Sequence, residues 1–294
     1  MALMQFGVDS EYTQLASVLL YSPGAEIANH PDPGAVQHLA PISIRKLTDQ
    51  LDRIIATFAG LDIAVNIIPR PEDPSDPSNY NMMFCRDLLF MTPAGAIMAN
   101  MANSTRSYEV AHAAARLNRA AIPILHTISG EGRFEGADAL WITRNLVAVG
   151  IGNRTNRQAF EQIQSVLSKQ GVVAVPLTST QKATQHLLGS LQIVDKDLAF
   201  VRDEIISGEI LTFLESRGYK IVAVPESFEV RNRQAMNIVT LAPRRIIMTA
   251  DCPETKRIYL NAGVAIQAEL AISELINGAG GLACTTGILA RASI

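Results

Sequence analysis

The chain has 294 residues, of which 48% are apolar, 18% charged and 5% aromatic, and its formal net charge is −3. This composition supports a sizeable core, excludes an intrinsically disordered or disulfide-stapled chain, and offers no basic field for nucleic acid. The first residues lack a basic start, and no apolar run is long enough for a membrane helix. Three widely spaced cysteines, Cys85, Cys252 and Cys284, favour reduced thiols. We therefore expect a cytoplasmic protein that binds neither nucleic acid nor membrane.

One order of elements recurs along the chain: a candidate hairpin, an amphipathic helix, a stop residue and a short apolar strand. The predicted hairpins are residues 17–27, 88–99, 139–150, 190–201 and 237–249. The predicted stop residues are Gly60, Asn118, Gly171, Gly218 and Gly263. Gly and Asn accept the left-handed conformation that closes a helix. Because the stops are about 50 residues apart, the pattern predicts five similar units.

The main break in composition is the proline-rich segment 69–79. The repeat continues on both sides of it, so we interpret it as a stiff loop within one domain rather than as a linker. Whether this loop forms a lid is left open.

Polar residues recur just before the predicted hairpins. Asp87 precedes the second hairpin, Glu135 and Asp138 the third, and His186 the fourth, while Cys284 follows a glycine-rich turn that is placed to close a ring onto the first. If five units surround an axis, these side chains converge near it. Each residue alone has an ordinary structural explanation, but their shared position favours a functional site.

This set of side chains has a chemical meaning. A thiol needs a base or a cationic neighbour to become a nucleophile at neutral pH, and His186 supplies either. Glu135 can orient His186 and keep it charged. Carboxylates left beside a thiolate favour a cationic substrate, and a planar guanidinium matches them in bidentate geometry. The isolated Cys and His lack metal-ligand spacing, so we expect no metal and no organic cofactor.

Several longer motifs surround these residues. Asn81, Phe84, Arg86 and Asp87 form the pattern Asn-x-x-Phe-x-Arg-Asp, and Arg106 follows nineteen residues after Asp87. Residues 135–138 read Glu-Gly-Ala-Asp, and residues 152–156 read Gly-Asn-Arg-Thr-Asn, with Arg154 at the centre. Across almost its whole length the chain resembles the pentein, or guanidino-group-modifying, superfamily, which includes arginine deiminases, dimethylarginine dimethylaminohydrolases and amidinotransferases.

The resemblance implies an α/β fold, a five-fold pseudosymmetric propeller of ββαβ repeats, with one catalytic domain over residues 1–294. It implies that Cys284 is the nucleophile, His186 the acid and base, and Glu135 the partner of His186. The substrate-binding residues that it implies are Asp87 on the guanidinium, Arg106 and Arg154 on a carboxylate, and Asn81, Phe84 and Asp138 around them. The expected partner is therefore a small guanidino amino acid, and a homodimer is left open.

One position departs from the family pattern. Deiminases and amidinotransferases carry an Asp two residues after the catalytic His, where this chain has Leu188. A more apolar pocket wall favours N-methyl groups, so we expect hydrolysis of an ω-N-methylated arginine to citrulline and an amine. Arginine deimination is the main alternative. Amidino transfer, suggested by Thr286 in a Cys-x-Thr pattern, and a non-catalytic binding role are the others.

Overall fold

The fold is described here by a computed structural model covering residues 6–28, 30–70, 79–178 and 184–293. Residues 71–78, most of the proline-rich segment, lie outside the described residues, so the question of a lid stays open. The described strands are β1 (Leu15–Tyr21), β2 (Ala64–Ile68), β3 (Leu89–Thr92), β4 (Gly95–Met98), β5 (Ile124–Thr127), β6 (Ala139–Thr143), β7 (Leu146–Ile151), β8 (Val173–Thr178), β9 (Leu191–Asp195), β10 (Leu198–Arg202), β11 (Lys220–Val224), β12 (Val239–Ala242), β13 (Arg245–Thr249), β14 (Ala265–Leu270) and β15 (Gly287–Arg291).

The described helices are α1 (Ile44–Gly60), α2 (Glu109–Arg119), α3 (Arg157–Ser168), α4 (Gly208–Glu215), α5 (Phe228–Asn232), α6 (Pro253–Asn261), α7 (Ser273–Asn277) and α8 (Leu282–Thr285). α1, α2 and α3 bury an apolar stripe at helical spacing and expose their polar side. Within the described chain, none of these helices has both the length and the apolar character that a membrane crossing requires.

The strands form five three-stranded sheets, β15-β1-β2, β3-β4-β5, β6-β7-β8, β9-β10-β11 and β12-β13-β14. In every sheet the middle strand pairs antiparallel with one neighbour and parallel with the strand that follows the helix. A parallel partner requires a crossover, and the helix supplies it. This arrangement confirms the predicted propeller of five ββαβ units.

The first predicted hairpin is wrong. β1 ends at Tyr21, and Glu26 then accepts hydrogen bonds from the Tyr21 hydroxyl and the Gly24 amide, both at 2.7 Å, which turns the chain into a short 3-10 helix. The antiparallel partner of β1 is β15, with Val18 opposite Ile288. The segment after Cys284 therefore closes the ring, as predicted, but β15 takes the place of the first hairpin strand, and β1 is the middle strand of its sheet.

The five long helices that lead into a third strand end in the same way. Each has a residue with positive φ, and the residue after it donates its amide to the carbonyl five positions earlier. Gly171, Gly218 and Gly263 take this place, as predicted. α1 ends at Gly60, as predicted, but its left-handed residue is Asp62. The prediction for Asn118 is wrong, because α2 ends at Arg119 and its left-handed residue is Ala121.

Candidate active site

One end of the ring collects the polar residues that precede the first strand of each hairpin. Asp87 lies just before β3, Glu135 before β6, His186 before β9 and Asn237 before β12, while Cys284 lies just before β15. Each of them is within five residues of its strand. The repeat therefore presents one side chain from each of the five units at one end of the molecule.

These units surround a cavity of about 230 Å³. It is smaller than the pockets that hold drug-sized ligands, and its size suits a single amino acid. Six of the residues predicted for the site line it: Asn81, Phe84, Asp87, Arg106, His186 and Cys284. The other lining residues are Gln37, Leu39, Ala137, Thr184, Gln185, Leu188, Gly189, Arg202, Gln234, Asn237, Gly278, Ala279 and Gly280.

His186 lies between two buried carboxylates. Its Nε2 is 2.6 Å from Oε2 of Glu135, and its Nδ1 is 3.7 Å from Oδ1 of Asp87. Burial alone would lower the pKa of His186, but Asp87 and Glu135 outweigh it and raise the pKa to about 9. The imidazole is therefore a cation at neutral pH, able to give a proton to a departing amine.

Glu135 is fully buried and is held in its charged form. Burial raises its pKa, but the hydrogen bond and the charge of His186 outweigh that effect, and together with Arg106 and Arg154 they bring the pKa to about 2. Its Oε1 accepts the amide of Ala102 at 3.2 Å and lies 3.4 Å from NH1 of Arg154. These contacts fix the carboxylate behind His186.

Arg106 lines the cavity, but its donors are engaged by protein groups. NH1 lies 2.6 Å from Oδ2 of Asp87, and Nε lies 2.9 Å from Oε2 of Glu109. NH2 is 2.9 Å from the same Glu109 oxygen and 3.4 Å from each of the carbonyls of Asn81 and Phe84. The surrounding carboxylates keep the pKa of Arg106 above its ordinary value even though burial opposes this.

The two oxygens of Asp87 differ in their hydrogen bonds. Oδ2 accepts Arg106, while Oδ1 is buried and accepts no hydrogen bond from any residue that the structure describes. A buried acceptor with no donor is rare in folded proteins and marks a place where a ligand can donate. Because Asp87 lines the cavity, this carboxylate oxygen is a candidate acceptor for a cation bound there.

Two more predicted residues, like Glu135, do not line the cavity. NH2 of Arg154 donates to Oε1 of Gln185 at 2.5 Å, and this Arg does not line the cavity. Asp138 accepts the Leu187 amide at 2.8 Å and the Thr155 hydroxyl at 2.7 Å. Burial raises the pKa of Asp138 to about 6. Asp138 thus fixes the turn that carries His186.

Cys284 is partly exposed at the cavity, whereas Cys85 and Cys252 are buried. Burial raises the pKa of the Cys284 thiol, as does Asp87, while the Asn237 side chain and the Gly281 amide act in the opposite direction. Burial also raises the pKa of Cys85, and that of Cys252 to about 11. Among the three thiols, only Cys284 has both access to the cavity and hydrogen-bond donors that favour its thiolate.

Asp87, Glu135 and His186 each offer one potential metal ligand, and these atoms lie within 4.8 Å of one another. The trio has the composition of a cation site. In this structure Arg106 and the protonated His186 already balance the two carboxylates, so a metal ion would compete with both.

Sequence reasoning missed Glu109, Arg202 and Asn237. Glu109 reads as an ordinary acidic residue in the first turn of α2, and Arg202 as the polar end of a strand. Asn237 had a usable signal, because it precedes the fifth hairpin at the place where Asp87 and His186 precede theirs.

Comparison with known proteins gives a family match over about half of the chain. Residues 75–218 match the family model described as arginine deiminase. The protein YkgA of Bacillus subtilis (strain 168) is 22% identical over 284 residues, which cover 96% of this chain and 94% of YkgA.

Solved structures share the fold at low identity. Dimethylarginine dimethylaminohydrolase from Pseudomonas aeruginosa, complexed with citrulline, has a TM-score of 0.76 at 19% identity, over 93% of this chain and 99% of the other. SxtG, an amidinotransferase from Microseira wollei, has a TM-score of 0.78 at 14% identity, over 98% of each chain. The N-terminal domain of ArgZ, an arginine dihydrolase in Cyanobacteria, bound to product, has a TM-score of 0.78 at 16% identity, over 93% of this chain and 96% of the other. The arginine deiminase match over residues 75–218 and the shared five-unit propeller indicate the pentein superfamily, which includes hydrolases and amidinotransferases that act on guanidino groups.

Proposed function

We propose that the chain, over residues 1–294, is a single catalytic domain. It hydrolyses a C–N bond at the guanidino carbon of an arginine derivative. The preferred substrate is an ω-N-methylated arginine, and the products are citrulline and an amine. The observation that carries the proposal is that Oδ1 of Asp87 accepts no hydrogen bond from any described residue, while Asp87 lines the same cavity as Cys284 and His186. A guanidinium bound there donates to Asp87 and brings its carbon to the thiol.

The residues supply each step of a covalent route. The Cys284 thiolate attacks the guanidinium carbon, and the bond from that carbon to the leaving nitrogen breaks as His186 donates its proton to the amine. Neutral His186 then accepts a proton from water as the water oxygen adds to the thiouronium carbon. Cleavage of the C–S bond, with loss of the remaining hydroxyl proton to solvent, releases citrulline and restores the thiolate. Glu135 keeps His186 oriented and favours its charged form throughout.

A cationic substrate also helps to form the nucleophile. Burial and Asp87 raise the pKa of Cys284, so the free enzyme holds mostly a neutral thiol. A guanidinium placed between Asp87 and Cys284 neutralises the carboxylate and stabilises the thiolate. Binding of the substrate and formation of the Cys284 thiolate are thereby coupled.

For the substrate carboxylate we propose Arg202 in place of Arg106 and Arg154, whose donors are engaged. Arg202 lines the cavity, and its Nε and NH2 lie 2.5 and 2.6 Å from the two oxygens of Glu226. Its NH1 makes no hydrogen bond with any described residue, which leaves one charged donor for an anion. Arg106 then serves to hold Asp87, and Arg154 to hold Glu135.

Arginine deimination is the second candidate, because residues 75–218 match the arginine deiminase family model. It uses the same residues, with ammonia as the leaving group. Leu188 separates the two: it is buried, lines the cavity and belongs to an apolar cluster with Leu187 and Leu191. An apolar wall at this point favours a methylated nitrogen over one that carries only hydrogens.

The test is a substrate panel with the purified chain. Arginine, mono- and dimethylarginine and agmatine are incubated separately, and citrulline, ornithine and released amines are measured, with Cys284→Ser as the control. We expect citrulline from the methylated forms, lost in Cys284→Ser. If citrulline is released faster from arginine than from the methylated forms, arginine deimination replaces hydrolysis of methylated arginine as the proposed activity. No turnover of any guanidine by the native chain would overturn the hydrolase proposal.

A further inference from the structure

Asn237 makes three hydrogen bonds to the turn that carries Cys284. Its Oδ1 accepts the backbone amides of Ala283 and Cys284, at 2.7 and 3.1 Å, and its Nδ2 donates to Sγ of Cys284 at 3.1 Å. The two amides lie in the first turn of α8, where N–H groups have no partner within the helix. A side chain 47 residues earlier in the sequence therefore caps this turn and contacts the thiol itself.

The neighbouring glycine makes room for this contact. A Cβ on Gly281 would lie 2.7 Å from Cγ and 2.8 Å from Cβ of Asn237, closer than side-chain atoms pack. Asn237 is buried, with 7% of its surface exposed, so it has little space to move aside. The glycine before α8 and the Asn before β12 thus fit together as a pair.

Donation of an N–H to sulfur favours the thiolate over the thiol. The other charged groups that line the cavity with Cys284 are Asp87, Arg106, His186 and Arg202. Asp87 and burial oppose the thiolate, whereas Arg106 and the Gly281 amide support it. Among the side chains within hydrogen-bonding distance of Sγ in the described residues, Asn237 supplies the donor.

We propose that Asn237 is a positioning residue that holds the Cys284 turn through Oδ1 and stabilises the Cys284 thiolate through Nδ2. Its importance for turnover rests on the proposed function, but its effect on the thiol does not. The two roles belong to different atoms of one side chain, so they can be separated by substitution.

Asn237→Asp keeps an oxygen for the Ala283 and Cys284 amides and removes the donor to sulfur. Asn237→Leu removes the donor without adding a charge. The control is Asn261→Asp, an exposed Asn at the end of α6. Cys284→Ser gives the background reaction of Cys85 and Cys252.

The measurement is the rate of Cys284 alkylation by iodoacetamide as a function of pH, which needs no substrate. We expect both Asn237 variants to raise the apparent pKa of the thiol by about one unit, so that alkylation at neutral pH falls about tenfold. Asn261→Asp should react like the native chain. Thermal unfolding checks that each variant is folded.

Two results would overturn the proposal: an alkylation profile that is unchanged in Asn237→Asp, or a shift in Asn237→Asp that a folded Asn237→Leu does not share. In the second case the added charge, not the lost donor, explains the shift. If Asn237→Leu does not fold, Asn237→Ala takes its place, because it also removes the donor without adding a charge. A shift of the thiol that Asn237→Asp shares with the uncharged variant, in a chain that turns over no guanidine, would sustain the inference while the hydrolase proposal fails.

Discussion

Arg106 holds Asp87 by one oxygen and leaves the other without a hydrogen bond. NH1 of Arg106 lies 2.6 Å from Oδ2, and within the described part of the chain Oδ1 has no hydrogen-bond partner. Arg106 therefore fixes the direction of the carboxylate without using its capacity to bind a cation. Because both side chains are buried, this ion pair is also a structural element of the site.

Loss of Arg106 should destabilise the fold. Arg106→Met leaves the carboxylates of Asp87 and Glu109 buried without their cation, and we expect the free energy of unfolding to fall by about 3 to 5 kcal/mol. The check is chemical denaturation. The control is Arg244→Met, which breaks a partly exposed pair with Asp195 and should cost about 1 kcal/mol or less. Equal losses in the two variants would contradict the role assigned to Arg106.

His186 sets an upper pH limit for turnover. Because its pKa is raised to about 9, the imidazolium is present at neutral pH and is lost as the pH rises through that value. In the substrate complex, where the bound guanidinium favours the thiolate, we expect kcat to rise with ionisation of Cys284 and to fall as the pH rises through about 9. The stability that the charged His186 contributes is complete below its ordinary pKa of about 6.5 and is lost over the same rise.

Glu135→Gln should move that upper limit, since it removes a carboxylate that favours the charged imidazole. The descending limb of the pH profile is expected at lower pH, with a lower maximum. Glu161→Gln, an exposed change on α3, should leave the profile in place. The assignment fails if the descending limb stays near 9 in Glu135→Gln.

Leu188 should govern the choice between free and methylated arginine. Leu188→Asp places a second carboxylate in the cavity wall and should shift kcat/KM toward unsubstituted arginine by about tenfold or more, in keeping with one added charged hydrogen bond. Leu188→Asn is the matched variant without the charge. The ratio of kcat/KM for the two substrates is the readout, and an unchanged ratio in Leu188→Asp would show that Leu188 does not select the substituent.

Arg202 should recognise the carboxylate of the substrate. Arg202→Gln is expected to weaken binding of the amino acid substrate by about tenfold, while inhibition by agmatine, which has no carboxylate, changes little. Arg244→Gln serves as the control for loss of an arginine elsewhere. Equal weakening of the substrate and of agmatine would point to a general disturbance of the pocket. The same loss in Arg106→Gln, with Arg202→Gln silent, would return the role to Arg106.

Gly281→Ala should reduce activity by pushing Asn237 away from the Cys284 turn. We expect slower alkylation of Cys284 at neutral pH and a lower kcat/KM. Gly60→Ala is the control, because an added Cβ there meets no atom within 4 Å and Ala forms helix more readily than Gly. If Gly281→Ala reacts like the native chain, the turn has room that the structure does not show.

Much of the fold follows from the sequence because the unit is local. The hairpins of β3–β4, β6–β7, β9–β10 and β12–β13 are close in sequence, and their turns are readable. The pairing of β1 with β15 joins the two ends of the described chain, so local patterns around β1 suggest a nearer partner. Asp62 and Ala121 take the left-handed position against their usual preference, because packing of the following strand decides it.

The sequence predicts the site residues that occupy the same position before a strand in successive units. It does not predict the residues whose role depends on a contact with another side chain. Asp87, His186 and Cys284 precede their strands and line the cavity. The engagement of Arg106 by Glu109 depends on how α2 packs beside the Asp87 turn, which spacing along the chain does not encode.

The closing of the ring by β15 has a consequence for biosynthesis. Cys284 lies three residues before β15, and β15 finds its place only against β1, which is translated before all the other described strands. Four sheets can assemble from neighbouring segments as the ribosome releases them, but the sheet that seats the thiol requires the first and the last of the described strands. The reactive sulfur therefore joins the other residues of the cavity last, and a nascent chain has no complete site.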